Sequence, residues 1–192
     1  MPPPERLTLD RIPTPIGEMV SLTDETGALC VLDFGDTGPR LEGLIRRHYG
    51  EVPISESRAP ETVRCALDRY YAGDIHALTG LAWRTGGTAF QRRVWETLTT
   101  IPPGATWTYA QLAAHIGSPR AVRAVGLANG ANPVGVVVPC HRVIGSNGTL
   151  TGYGGGIERK RWLLRHEGAA FKDSPVASPR AVVLEQGLLK LA

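Results

Sequence analysis

Apolar and polar residues alternate over Leu7 to Ile12, at Val20 and Leu22, and again over Leu29 to Phe34; the intervening Pro13-Thr14-Pro15-Ile16-Gly17 and Asp24-Glu25-Thr26-Gly27 are rich in turn formers. A period of two bounded by such turns predicts three strands in an antiparallel meander. The period then changes. Leu41, Leu44, Ile45 and His48 recur at helical spacing up to Gly50, and Val63, Leu67 and Tyr70 do so up to Gly73. Two helices and a small α/β unit follow. His48 lies on the apolar stripe of its helix and reads as a core or boundary histidine, and no residue of this half reads as part of a site.

At Gly86-Gly87 the composition shifts, and Thr88-Ala89-Phe90-Gln91 has the form of a capping box ahead of Phe90, Val94, Leu98 and Ile101 on one helical face. Pro102-Pro103-Gly104 ends that helix. A second capping box, Thr108-Tyr109-Ala110-Gln111, opens a short helix to Ile116. Gly117 then turns the chain, and Ser118 with Pro119 reads as the cap and first turn of a helix from Pro119 to Asn129. This is a helix-turn-helix pattern, although spacing alone favours an ordinary αα-corner. Its second helix sets Arg120 and Arg123 among Ala121, Ala124, Gly126 and Ala128. Small residues permit close backbone approach, and arginines there can reach phosphates or enter a groove. Beyond the turn cluster Asn129 to Pro133 lies a glycine-rich loop, Thr151 to Gly156, and then a basic helix from Ile157 to Glu167 stopped by Gly168.

A length of 192 residues allows one large or two small domains. Charge separates the halves: residues 1–85 carry nine basic and thirteen acidic side chains, and residues 86–168 carry nine basic and three acidic, within a net charge of +3. A polyanion partner for the basic part fits, as does a merely solvated basic face. Three cysteines, 35 and 75 residues apart, form no CxxC signature, and the five histidines supply no HExxH. No metal, no cofactor and a reducing, cytoplasmic setting are therefore expected. No stretch approaches the roughly 18 apolar residues of a membrane span, and the N-terminus lacks the basic and apolar regions of a leader.

The candidate chemistry lies at Pro139-Cys140-His141-Arg142-Val143, which follows the apolar run Val134 to Val138. Free cysteine is commonly a small buried hydrophobe, and Cys30 and Cys65 fit that reading. Cys140 differs, because His141 and Arg142 follow it and cationic groups favour the thiolate that attacks.

The pentapeptide, preceded by Asn132-Pro133 and followed by Gly152-Tyr153-Gly154-Gly155-Gly156, resembles the O6-alkylguanine-DNA alkyltransferase family. The likeness runs from about Thr88 to Gly168, includes Tyr109 and Arg123, and extends more loosely to Thr14-Pro15-Ile16-Gly17. It implies an RNase H-like α/β domain over residues 1–85, a mostly helical, winged-helix-like DNA-binding domain over 86–170 and a tail over 171–192. By the same resemblance Cys140 accepts the alkyl group irreversibly, His141 acts as its base through a water, Glu167 orients His141, and Asn132 braces the turn bearing the thiol. Tyr109 donates toward the base ring. Tyr153, Gly154, Gly155 and the backbone at Val143 line the base pocket, and Arg123 fills the gap left by the flipped nucleotide, with Arg120, Ala121 and Ala124 in the minor groove. The implied partner is double-stranded DNA containing O6-alkylguanine or O4-alkylthymine, met by a monomer. Gly154 stands where some family members carry serine, which predicts a wider pocket.

Other readings remain open on sequence. A Cys-His hydrolase would use the same pair, an alkyltransferase-like protein would bind lesions without repairing them and usually lacks the acceptor cysteine, and a DNA-binding regulator needs no reactive thiol. In the tail, Lys172-Asp173-Ser174-Pro175 reads as linker and Val182 to Leu189 as a short apolar segment.

Overall fold

The predicted meander forms as β1 (Leu7–Ile12), β2 (Met19–Thr23) and β3 (Leu29–Phe34), paired antiparallel in sequence order in a computed structural model that describes residues 3–173. The expected apolar segment Val182 to Leu189 lies outside the described residues. A short strand the pattern did not announce, β4 (Ile54–Glu56), adds to β1 in parallel and makes a mixed sheet in the order β3-β2-β1-β4. Its three residues are all exposed, so it carries no alternation of burial to read. On one side of the sheet Leu7, Leu22, Cys30 and Val31 pack with Tyr49 of α1 (Gly38–Tyr49). Leu29, Leu32 and Phe34 instead join the principal core.

That core runs without interruption into the second half of the chain. α2 (Glu61–Tyr71) contributes Val63, Ala66, Leu67 and Tyr70, one helical face. Cys65 falls off that face: it is exposed, with Sγ 3.2 Å from Glu61 Oε1, so the expectation of buried filler fails there and holds for Cys30. α3 (Ala89–Leu98) begins with the expected capping box, in which Thr88 accepts from Gln91 N–H and Gln91 accepts from Thr88 N–H. Its Trp95 is fully buried and donates from Nε1 to the Ala128 carbonyl at 2.8 Å. The Gly86-Gly87 junction is tightly packed, since a Cβ at Gly86 would sit 2.7 Å from the His48 carbonyl. His48 itself packs its ring edge on Trp95.

The second capping box opens α4 (Tyr109–His115) as expected. The next helix departs from expectation. α5 spans Val122–Gly130, and its N-cap is Ala121 rather than Ser118, with no side-chain cap hydrogen bond. Instead the Ser118 carbonyl accepts the Ala121 N–H at 2.8 Å, closing a turn around Pro119 and Arg120. Proline's fixed φ serves the second position of such a turn as well as the first turn of a helix, so the sequence signal was ambiguous by three residues. A two-residue parallel ladder, β5 (Trp107–Thr108) with β6 (Val143–Ile144), precedes α6 (Ile157–His166) in the chain's last turn of the fold. Lys172 and Asp173 are not free linker: Lys172 bridges to Thr149, and Asp173 pairs with Arg161 and Arg165.

Candidate active site

Cys140, His141 and Arg142 form a single 3-10 turn (Cys140–Arg142) that runs directly into β6. The pairing of Trp107 with Val143 and Thr108 with Ile144 ties that turn to the start of α4, whose first residue is Tyr109. The loop before the cysteine is held from two sides. Asn132 donates from Nδ2 to the Val138 carbonyl at 2.8 Å and accepts the Val134 N–H at 3.0 Å. On the other side Leu32 of β3 gives its N–H to Pro133 and takes the Gly135 N–H. Within the loop Val136 lies at φ 70°, a conformation β-branched residues rarely adopt. Such strain costs on the order of 1–3 kcal/mol and persists where surrounding contacts impose it.

Cys140, Tyr109, Tyr153 and Gly154 line one cleft of ≈ 370 Å³ together with Arg40, Gly126, Asn129, Gly130 and Gly152. The Tyr109 hydroxyl lies 3.0 Å from Thr151 Oγ1. Two residues expected in the pocket stand elsewhere. Gly155 is buried against Phe34, to whose ring a Cβ would come within 2.6 Å, and Val143 is buried in β6 with its carbonyl accepting from Lys160 Nζ at 2.6 Å. Nor does Gly154 widen the cleft. A Cβ there would collide with Arg40 Cζ, because the Arg40 guanidinium occupies that space while bonding to Asp33 and to the Gly130 and Asn132 carbonyls. Gly154→Ser should therefore displace Arg40 and cost about 1–3 kcal/mol of stability, read as a lower thermal midpoint. No loss would show that Arg40 moves freely.

Behind the sulfur lies a buried polar cluster. Glu167, the C-cap of α6, accepts from Arg142 Nε at 2.8 Å through Oε2. Its Oε1 accepts from Arg142 Nη2 at 2.8 Å and from the Tyr70 hydroxyl at 2.8 Å, and faces His141 Nε2 at 3.1 Å. Burial raises the Glu167 carboxyl, but the His141 ring and the Arg142 guanidinium more than reverse this and hold it well below the ordinary carboxylate range. His141 is lowered, by burial first and against the pull of Glu167, so the ring is neutral at neutral pH. A neutral imidazole that donates from Nε2 to a carboxylate keeps its lone pair on Nδ1. That Nδ1 is buried and has no hydrogen-bond partner among the described residues.

Burial pushes the Cys140 thiol above its ordinary value, and Asn132, Lys160 and Arg40, which favour the thiolate, do not reverse it. The nearby cations do favour the thiolate, as expected, but less than burial opposes it, so at neutral pH the sulfur is a thiol that needs a base. Lys160 is fully buried, and burial lowers its ammonium to about 8 against the attraction of Cys140.

Arg123, Ala124 and Arg120 are exposed and Ala121 is partly so, while Gly126, Asn129 and Gly130 of the same segment line the cleft. Among the described residues the exposed large hydrophobics are Ile54, Val122 and Leu127, the last 71% exposed, so two of three flank Arg123 on α5. Sequence reasoning passed over Val122 and Leu127, assigned no role to Tyr70, Arg40 or Lys160, and read Arg142 only as a cationic neighbour of the sulfur and not as the partner of Glu167. The available signal was Leu127, the largest aliphatic residue of α5, set between Gly126 and Ala128.

Among the described residues no group of His, Cys, Asp and Glu is placed to hold a metal ion, and no helix is long and apolar enough to cross a membrane. A family model described as the DNA binding domain of 6-O-methylguanine DNA methyltransferase matches residues 89–169. Methylated-DNA–protein-cysteine methyltransferase of Salmonella typhimurium is 48% identical over 166 residues, spanning 85% of this chain and 96% of that protein. The Haemophilus influenzae protein of the same name is 37% identical over 161 residues, spanning 84% and 86%. Among solved structures, Mycobacterium tuberculosis OGT in complex with DNA is similar at a TM-score of 0.71 and 39% identity, over 84% of this chain and 92% of that one.

Proposed function

Because the chain belongs to the methylated-DNA–protein-cysteine methyltransferases, DNA-repair proteins that move an alkyl group from DNA onto a cysteine of their own, we propose that Cys140 is that cysteine and that His141, Glu167, Asn132 and Tyr109 serve it. The observation that carries this reading is the buried relay: Cys140 on the cleft, His141 behind it with a free Nδ1, and Glu167 fixed against Nε2. His141 Nδ1, acting through a water, takes the thiol proton. The sulfur then attacks the alkyl carbon in line, a C–S bond forms, the C–O6 bond breaks, and its electron pair leaves with guanine O6. Tyr109, with Thr151 beside its hydroxyl, donates toward the base ring as charge leaves. The product is a thioether. It offers no carbonyl for water to attack, so one molecule repairs one lesion and is spent.

A base inside a duplex is out of reach, and turning it out costs a few kcal/mol. We assign that task to α5, with Arg123 filling the gap, Ala121 and Ala124 admitting the minor-groove walls and Arg120 near the phosphates. Tyr153, Gly154 and Gly155 carry the loop that bounds the base, with Val143 behind it. The reading includes an RNase H-like unit over 1–85, a winged-helix-like unit over 86–170, monomeric action, a cytoplasmic setting, and O6-alkylguanine or O4-alkylthymine as substrates. Arg123→Ala should slow transfer from a duplex by roughly ten- to a hundredfold while leaving transfer from free O6-benzylguanine unchanged. Equal losses on both substrates would remove Arg123 from the flipping step. The assignment as a whole is tested by stoichiometry: methyl loss from O6-methylguanine duplex should stop at one per protein molecule, and continued turnover would overturn it.

A further inference from the structure

We propose that the Tyr70 hydroxyl is a positioning group for alkyl transfer, holding the Glu167 oxygen that faces His141, so that α2 in the first half of the chain helps arm the sulfur in the second. This rests on the reading of Cys140 as the acceptor. Tyr70 is 0% exposed and its hydroxyl reaches Glu167 Oε1 at 2.8 Å across 97 positions of sequence. That oxygen also takes Arg142 Nη2 at 2.8 Å and faces His141 Nε2 at 3.1 Å. Three donors share one atom. Each disperses its charge, and the Tyr70 hydroxyl therefore limits how strongly Glu167 pulls on the imidazole.

Tyr70 is itself fixed next to Glu167. The preceding residue, His166, brings Nε2 to 2.7 Å from the Tyr70 carbonyl and sets its ring at 5.0 Å from the Tyr70 ring, edge-on. The titratable and charged groups facing this relay are Cys140, His141 and Arg142 from the 3-10 turn, Lys160, His166 and Glu167 from α6 and its cap, Tyr70 with Tyr71 from α2, and Tyr153 from the glycine-rich loop, its ring edge-on to His141 at 6.5 Å. Among the described residues only Tyr70 brings an uncharged donor to Oε1 from the first half. Its hydroxyl is held protonated by burial and by Glu167, and so remains a donor.

Removing that donor strengthens the Glu167–His141 interaction, favours imidazolium, and keeps His141 protonated to higher pH. Tyr70→Phe keeps the ring and its packing. In this variant the acid limb of the transfer rate against pH should move up by about half to one unit, so that transfer measured on that limb falls roughly three- to tenfold. An NMR titration of the His141 ring should show the same upward movement. Tyr71→Phe is the control, since that partly buried hydroxyl reaches Met19 Sδ and not Glu167; its limb should stay in place. A Tyr70→Phe profile and His141 titration matching wild type, a uniform rate loss with no movement of the limb, or an equal movement in Tyr71→Phe would each overturn the inference. Failure of wild type to alkylate Cys140 would instead defeat the reading beneath it.

Discussion

His141→Gln is expected to slow transfer to Cys140 at neutral pH by about 10²–10⁴-fold, the usual span for loss of a general base, while leaving affinity for a lesion duplex unchanged. The reason is the state of the sulfur. Burial keeps Cys140 a thiol, against Asn132, Lys160 and Arg40, so little thiolate exists until a base removes the proton. The imidazole can do so because burial keeps it neutral with Nδ1 open. Without it the rate should climb about tenfold per pH unit as the thiol ionises unaided, narrowing the gap to wild type at alkaline pH. Single-turnover rates measured across pH decide this. A variant as fast as wild type at neutral pH would show that the sulfur is activated by another group.

Arg142→Ala should be the most destabilising single change in this site, by about 3–5 kcal/mol, because removing one partner of a buried ion pair strands the other. Here the stranded group is Glu167, whose side chain is fully buried, and the Ile101 carbonyl loses its donor as well. The urea midpoint should fall by roughly 1–5 M, given slopes of about 1–3 kcal/mol/M. Acid adds a sign that packing loss alone would not give. The Glu167 carboxyl is depressed in the folded protein, so its contribution is full above the ordinary carboxylate range and is lost only as pH falls through the lower folded value. With Arg142 gone, burial acts against a carboxylate that only His141 and Tyr70 still favour. Acid destabilisation should then begin at a higher pH in the variant than in wild type. Equal midpoints would contradict the geometry of the pair.

What was legible in the sequence was whatever depends on near neighbours. The meander, both capping boxes and the helical face of α2 are short-range patterns, and each formed where expected. The pentapeptide, Asn132 and the Tyr153 loop were legible because their residues lie close together in the chain. Tyr70 was not. Its position on an apolar stripe announced burial, but a hydroxyl meeting a carboxylate 97 residues away leaves no local mark. The same holds for Arg40, whose bonds to Gly130 and Asn132 span 90 and 92 positions and close the space beside Gly154. The first half was accordingly read as carrying no part of the site, although β3, Arg40 and Tyr70 all hold the loop or the relay. The start of α5 was misread because proline suits a turn and a helix start alike.

Intact-mass and peptide analysis after incubation with an O6-methylguanine duplex tests the central claim most directly. One addition of about 14 Da, a methylene's worth on replacing S–H by S–CH₃, should appear on the peptide containing Cys140, in an amount equal to the protein consumed, and should vanish in Cys140→Ser. An unmodified protein, or an adduct on Cys30 or Cys65, would contradict the account.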